Sequence, residues 1–190
     1  MRKMITGMKI SVDGKMEGPE GYAELIQPAT LRIERLLPGT RERVWEYLTQ
    51  SDLRRQWLAA GDMDMEEGSS FELVWRNDEL TDPPGQRPAS FAGGEQRMHN
   101  QIVECDPPRK LTITWNGSGN VTFELAQRGD DVLLTLVHRR LPNRSSLMMH
   151  AAGWHMHLDI LAARVTGEKP EPFWDGWSRL MTDYDQRLPA

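Results

Sequence analysis

Hydrophobic and polar residues alternate along six short segments of this 190-residue chain. An apolar residue at every second position is the pattern of a β-strand with one buried face. Turn-forming residues such as Asp106-Pro107-Pro108 and Arg128-Gly129-Asp130 separate the segments, and short turns join strands that run antiparallel. The sequence therefore predicts a meander of six strands, at 29–37, 69–76, 96–104, 110–116, 120–126 and 131–139.

The period of the apolar residues changes to that of an α-helix in four places. Two short helices are expected after the first strand, over 41–49 and from Ser51 to Leu58, and a last helix over 173–188. The longest predicted helix covers 145–167. Its apolar residues recur at spacings of four and three and so form one narrow stripe. The stripe consists of Leu147, Ala151, Trp154, Leu158, Leu161 and Val165.

These elements predict an α+β fold in which a curved antiparallel sheet wraps around the long C-terminal helix. We expect residues 29–190 to form a single domain. Residues 1–28 are expected to be an N-terminal extension or an added edge hairpin. The segment 77–95 is long and irregular, which is typical of either a functional lid or a disordered insert.

Composition narrows the classes of function. The net charge is −5, and the 23 basic residues are scattered among 28 acidic ones, so no nucleic-acid partner is expected. The single cysteine excludes an internal disulfide and favours a reducing compartment. No apolar run reaches the ~18 residues of a membrane span, and the first residues lack the apolar core of a signal peptide. We therefore expect a cytoplasmic protein that does not insert into membranes.

Four motifs spread over 29–187 carry a resemblance to a known family. They are Val44-Trp45-Glu46-Tyr47-Leu48-Thr49 through Gln56-Trp57-Leu58, Gly68-Ser69-Ser70-Phe71, Glu104 through Trp115 around a Pro-Pro turn, and Gly153-Trp154 followed by Leu158 and Leu161. Together they resemble the C-terminal domain of activators of the heat-shock-90 ATPase, within the START-like, or SRPBCC, superfamily. The resemblance implies the helix-grip fold. The additional N-terminal domain of the eukaryotic co-chaperones resembles nothing in this sequence, so chaperone activation is not carried over.

Four tryptophans are predicted to face the interior of the fold. Large aromatic side chains can simply fill a core, or they can line a pocket for an apolar ligand. The pocket hypothesis places a ligand between the sheet and the long helix. Its predicted wall consists of Trp57, Trp75, Trp115, Leu134, His138, His150, Trp154 and Leu158.

His138 and His150 are the polar candidates within this wall. His138 shares the inward-facing parity of its strand, and His150 begins the helix opposite. The pair can be semi-buried structural histidines, polar anchors for a ligand, or an acid–base pair. No metal site is expected, because His155 and His157 lie about 200° apart on the helix and His150 lies about 10.5 Å from His157 along it.

The sequence thus leaves three hypotheses for function. The leading hypothesis is a binding protein for an apolar or aromatic small molecule, with no cofactor. The second is an enzyme of the cyclase or dehydratase kind found elsewhere in the superfamily, using His138 or His150. The third is a co-chaperone-like interaction module that uses the outer face of the sheet or the 173–188 helix. A homodimer is compatible with each.

Overall fold

A computed structural model describes residues 29–91, 93–116 and 119–188. Six strands form one antiparallel sheet in the order β1-β6-β5-β4-β3-β2. The six predicted strands are confirmed, and four of them extend one or two residues beyond the predicted end. They are β1 (Ala29–Pro38), β2 (Ser70–Trp75), β3 (Gln96–Asp106), β4 (Lys110–Thr114), β5 (Asn120–Arg128) and β6 (Asp131–Leu141).

The helices fall close to their predicted positions. They are α1 (Arg41–Thr49), α2 (Ser51–Arg54), α3 (Arg144–Thr166) and α4 (Phe173–Arg187). Asn143 caps α3 by accepting a hydrogen bond from the Ser146 backbone N–H at 2.8 Å, which satisfies one of the free donors of the first turn. The α+β helix-grip architecture is confirmed. The second short helix is shorter than predicted, so Trp57 and Leu58 lie in the turn that follows it.

Helix α3 lies across the inner face of the sheet. The predicted stripe from Leu147 to Leu161 is buried, and Val165 is partly buried. The expectation of a single narrow stripe is wrong, however, because Met156, Ile160 and Ala163 are also buried. Helix α4 packs against α3, and its Gly176 lies beside Met156. A helix that is packed on two sides carries apolar residues on both of those faces.

The turn after α2 is fixed by the buried side chain of Arg54. Its guanidinium donates to the carbonyl oxygens of Thr49 at 2.9 Å and Ala59 at 3.2 Å, and also to that of Gly61. Desolvation lowers the pKa of Arg54 to about 10, partly offset by the charge of Asp62, so the group stays charged at neutral pH. These bonds hold the turn that carries Leu58 against α3.

A chain of polar contacts crosses from β1 through α3 to α4. The buried Arg35 donates to Asp159 Oδ1 at 2.9 Å, and His155 Nε2 lies 3.3 Å from Asp159 Oδ2. His155 Nδ1 lies 2.8 Å from the Tyr184 hydroxyl. Burial opposes ionisation of Asp159, but the hydrogen bond from His155 and the charge of Arg35 outweigh it and lower its pKa. The chain ties the two C-terminal helices to the first strand.

Within the segment 77–95, residues 77–91 pack against the start of α4, and we call them the strap. The Trp174 Nε1–H donates to Asp78 Oδ1 at 2.6 Å, and the Phe173 backbone N–H donates to Thr81 Oγ1 at 2.9 Å. The Phe91 ring lies 4.9 Å from the ring of Trp177. Of the two alternatives for this segment, a disordered insert does not fit these contacts.

Two further expectations concern the N-terminal residues and membrane insertion. The predicted extension or edge hairpin at 1–28 lies outside them. Over the residues that are described, no helix combines the length and the apolar character needed to cross a membrane.

Candidate functional site

An open cleft of about 100 Å³ lies between α3 and the edge strand β2. Helix α3 supplies five of its eight lining residues, and the others come from β2, the residue after β4, and the turn after α2. We call it the indole cleft. Its lining consists of Leu58, Trp75, Trp115, Met149, His150, Gly153, Trp154 and His157.

Three indole rings form the apolar part of the cleft. The Trp115 ring lies 4.8 Å from that of Trp154 and 5.7 Å from that of Trp75. Tilted and edge-to-face contacts at such distances are favourable, which makes the wall rigid. Trp154 is buried, whereas Trp75 and Trp115 are only partly buried. The cleft therefore contains apolar aromatic surface that is not buried in the core.

His138 supports the cleft from behind. It is fully buried on β6, and its Nδ1 accepts a hydrogen bond of 3.2 Å from the Trp154 Nε1–H. An imidazole nitrogen that accepts carries no proton, so the proton of the neutral ring is on Nε2. The bond fixes the orientation of the Trp154 indole. The His138 ring also lies 4.8 Å from that of His150, so the two predicted histidines do meet.

His150 and His157 are held in the same tautomer by backbone carbonyls. His150 Nδ1 lies 2.7 Å from the Ser146 oxygen, and His157 Nδ1 lies 2.7 Å from the Trp57 oxygen. A carbonyl oxygen only accepts, so each Nδ1 carries the proton and each Nε2 of the neutral ring is an acceptor. Neither Nε2 has a hydrogen-bond partner within 29–91, 93–116 and 119–188.

Burial keeps both cleft histidines neutral. Desolvation lowers the pKa of His150, and it lowers that of His157 to about 4; in each case the backbone hydrogen bond opposes the shift. At neutral pH both rings are therefore uncharged. The indole cleft contains two neutral hydrogen-bond acceptors among aromatic rings.

Gly153 leaves room in the cleft. It lies in the middle of α3, where glycine is unfavourable because it loses more backbone entropy than alanine on folding. A Cβ atom built on Gly153 meets no heavy atom within 4 Å. Packing therefore does not require a glycine here, and the missing side chain keeps part of the cleft empty.

The structure brings together four of the eight predicted pocket residues on the cleft wall, namely Trp75, Trp115, His150 and Trp154. His138 lies directly behind them. Leu134 and Leu158 lie instead in the solvent-excluded core, with no exposed surface. Trp57 is equally buried and donates its indole N–H to the Tyr47 oxygen at 2.9 Å.

Four lining residues were missed by the sequence analysis: Leu58, Met149, Gly153 and His157. His157 carried a usable signal, because it follows His150 by seven residues and so lies on the same side of α3. Leu58 carried none, since the turn that presents it is held by tertiary contacts of Arg54.

Comparison with known proteins places the fold in context. The sequence profile of the family described as "Activator of Hsp90 ATPase homolog 1-like protein" matches residues 38–166. A protein of Bordetella parapertussis, solved by solution NMR, is 36% identical; the alignment covers 97% of this chain and 96% of that chain, with a TM-score of 0.73.

Two further solved structures share the fold at lower identity. CalU16 of Micromonospora echinospora is 22% identical over 84% of this chain and 87% of that chain, with a TM-score of 0.60. DynU16, described as a protein of the dynemicin biosynthetic locus, is 20% identical over 74% of this chain and 48% of that chain, with a TM-score of 0.57. No protein with a curated description matches.

Proposed function

Because the chain belongs to the family of Activator of Hsp90 ATPase homolog 1-like proteins, in its helix-grip form, we propose that it binds a small aromatic molecule in the indole cleft. The observation that carries the proposal is the pair of imidazoles of His150 and His157, whose Nε2 acceptors lack hydrogen-bond partners within the described segments, in a lining that also contains three indole rings.

The lining has the composition of a ligand site. Such sites are largely apolar, with a few polar groups that fix the orientation of the ligand. Here the indoles supply apolar contact, and the two neutral imidazoles accept hydrogen bonds. A ligand without a donor would displace the water that is hydrogen-bonded to these acceptors and would leave them without a partner. Each buried acceptor left in this way costs about 1–3 kcal/mol. The favoured ligand therefore carries a hydroxyl or N–H group.

The size of the cleft limits what enters it. Its volume of about 100 Å³ is below the ~300 Å³ at which pockets for drug-sized ligands begin. One aromatic ring, or one end of a longer molecule, fits this space. The remainder of a larger ligand would lie outside the indole cleft.

A cyclase or dehydratase remains the second candidate, and one observation favours it. The His150 ring lines the cleft, and its Nε2 is unprotonated at neutral pH, as a general base requires. Its lowered pKa has desolvation as its cause and no carboxylate contribution, so the base would be weak. Turnover of a bound hydroxylated ligand is the observation that would select this alternative.

The interaction-module hypothesis relied on the outer face of the sheet or on α4, and the apolar face of α4 is not available for a partner. The large apolar residues of α4, including Phe173, Trp174 and Trp177, are buried against α3 and the strap. Among the described residues, the exposed large apolar side chains are Val103 and Met149. Such isolated residues do not form an interaction patch.

The proposal is tested with para-propylphenol and its methyl ether, para-propylanisole, which differ in one donor. We expect saturable binding of the phenol that quenches indole fluorescence, with an affinity about tenfold above that of the ether, as one hydrogen bond would give. His150→Phe should reduce that ratio. His99→Phe is the control, because that side chain is 88% exposed on β3.

Two results would contradict the proposal. One is the absence of saturable binding of either compound to the wild-type protein. The other is equal affinity for phenol and ether, which would show that the histidine acceptors do not contact the ligand. Native mass spectrometry of protein purified from its own host provides an independent search for a bound small molecule.

A further inference from the structure

A second cleft of about 180 Å³ adjoins the indole cleft, and we call it the arginine cleft. The two clefts share Leu58, which lines both. Strand β2 contributes Trp75 to the first cleft and Val74 to the second, and Arg76, the residue after β2, also lines the second. The two spaces are therefore neighbours that meet at Leu58.

The two clefts follow one another along helix α3. His150, His157 and Arg164 follow one another at intervals of seven residues. Each interval rotates the side chain by only about 20° around the helix and advances it by about 10.5 Å. His157 therefore belongs to the indole cleft and Arg164 to the arginine cleft on the same side of the helix. A ligand that spans both must be elongated.

The charge of the arginine cleft is only partly balanced. The Arg164 guanidinium donates to the carbonyl oxygens of Leu80 at 2.8 Å and Gln56 at 3.3 Å, which fix its position without neutralising it. Three of its five N–H donors are not used in these bonds. Arg55 is exposed and forms no ion pair within the described residues.

The remaining charges set the preferred charge of a ligand. Arg76 is paired with Glu95, and the exposed Glu79 also lines the cleft. Three arginines against two glutamates leave one net positive charge. A monoanion balances this charge, whereas a dianion would overcompensate it. Guanidinium groups bind carboxylates strongly because each offers paired donors.

We propose that the two clefts form one site for an elongated amphipathic monocarboxylate, and this inference rests on the proposed function of the indole cleft. The aromatic or apolar end of the ligand lies between the indoles, its chain passes Leu58, and its carboxylate contacts Arg55 and Arg164. The second cleft also provides the space for the part of a larger ligand that the indole cleft does not admit.

The test uses phenyloctanoic acid and phenyloctanol, each with its phenyl ring at the end of the chain. We expect the acid to bind at least about tenfold more tightly than the alcohol, as charge-assisted hydrogen bonds would give. Arg55→Gln should lower affinity for the acid, and Glu79→Gln should raise it. Both variants should change affinity for the alcohol much less than affinity for the acid.

Both substituted residues are exposed, so the variants should fold. Arg128→Gln on β5 is the matched control, because it removes an exposed positive charge that does not line either cleft. The acid preference of this control should equal that of the wild type. Raising the salt concentration should weaken binding of the acid more than that of the alcohol.

The outcomes separate this inference from the one on which it rests. If para-propylphenol binds but the acid and the alcohol bind equally, the carboxylate site is wrong and the indole cleft stands. If neither propylphenol nor phenyloctanol binds, the proposed function itself is wrong. Tighter binding of phenyloctyl phosphate than of the acid would overturn the assignment to a monocarboxylate.

Discussion

Replacing Gly153 by alanine should stabilise the protein. The residue lies mid-helix in α3, and its added Cβ would meet no heavy atom within 4 Å, so no steric cost opposes the change. Alanine is favoured over glycine in a helix interior by about 0.8–1 kcal/mol. In a protein of this size, about 1 kcal/mol corresponds to a rise of about 2–4 °C in melting temperature.

A larger side chain at the same position separates stability from binding. Gly153→Leu has a similar gain in helix propensity, and its side chain extends into the cleft of about 100 Å³ beside Trp154 and His157. We expect this variant to melt no lower than the wild type while losing binding of para-propylphenol. Gly153→Ala should bind it within a few fold of the wild type.

Differential scanning calorimetry and indole quenching measure the two effects on the same samples. A lower melting temperature for Gly153→Ala would show that the space beside Gly153 is filled in solution. Unchanged binding to Gly153→Leu would place the ligand elsewhere. Either result would refute the argument that this glycine keeps the cleft empty.

Three further predictions concern the residues around the cleft. Trp154→Ala should destabilise the fold by about 3–5 kcal/mol through loss of a buried ring, which is measured as a large drop in melting temperature. The control Met149→Ala, at an exposed position, should leave the melting temperature nearly unchanged. The pKa of His157 is about 4 in the folded protein against an ordinary 6.5. Between these two pH values the unfolded chain therefore binds a proton at His157 and the folded chain does not. Urea denaturation should therefore show up to about 3 kcal/mol of stability present above pH 6.5 and lost as the pH falls towards 4; an NMR titration of His157 with a midpoint near 6.5 would contradict this. Asp159→Asn should cost about 1.5–3 kcal/mol, because it removes the carboxylate that accepts two hydrogen bonds from the buried Arg35, and equal denaturation midpoints for variant and wild type would refute it.

The strands and helices were predictable because burial imposes a period on the sequence. On β6, the alternation of Val132, Leu134 and Leu136 gives the inward face directly, and all three are fully buried. The flanks of α3 were not predictable in this way. Met156 is buried beside Gly176 of α4, and the spacing within one helix does not reveal what a later helix covers.

The site was only half predictable for a related reason. Alternation tells which side of a strand faces inward, but not how deep a side chain lies. Leu134 and Trp75 both face inward, yet the first is enclosed by the core and the second borders an open cleft at the edge strand. The contribution of Leu58 depends on a turn held by tertiary hydrogen bonds, and the sequence around it carries no periodic signal.

The contact between the strap and α4 has a consequence for biosynthesis. The ribosome synthesises the sheet and α3 before α4, so during that interval Met156 lacks its contact with α4, and the strap lacks Phe173 and Trp174 as partners. A nascent chain that has emerged only as far as Thr166 therefore displays apolar surface of the kind that chaperones recognise and that promotes aggregation. The native packing of α4 against α3 and the strap is therefore completed only after the last residues have left the ribosome, and products truncated before Phe173 would keep this surface exposed.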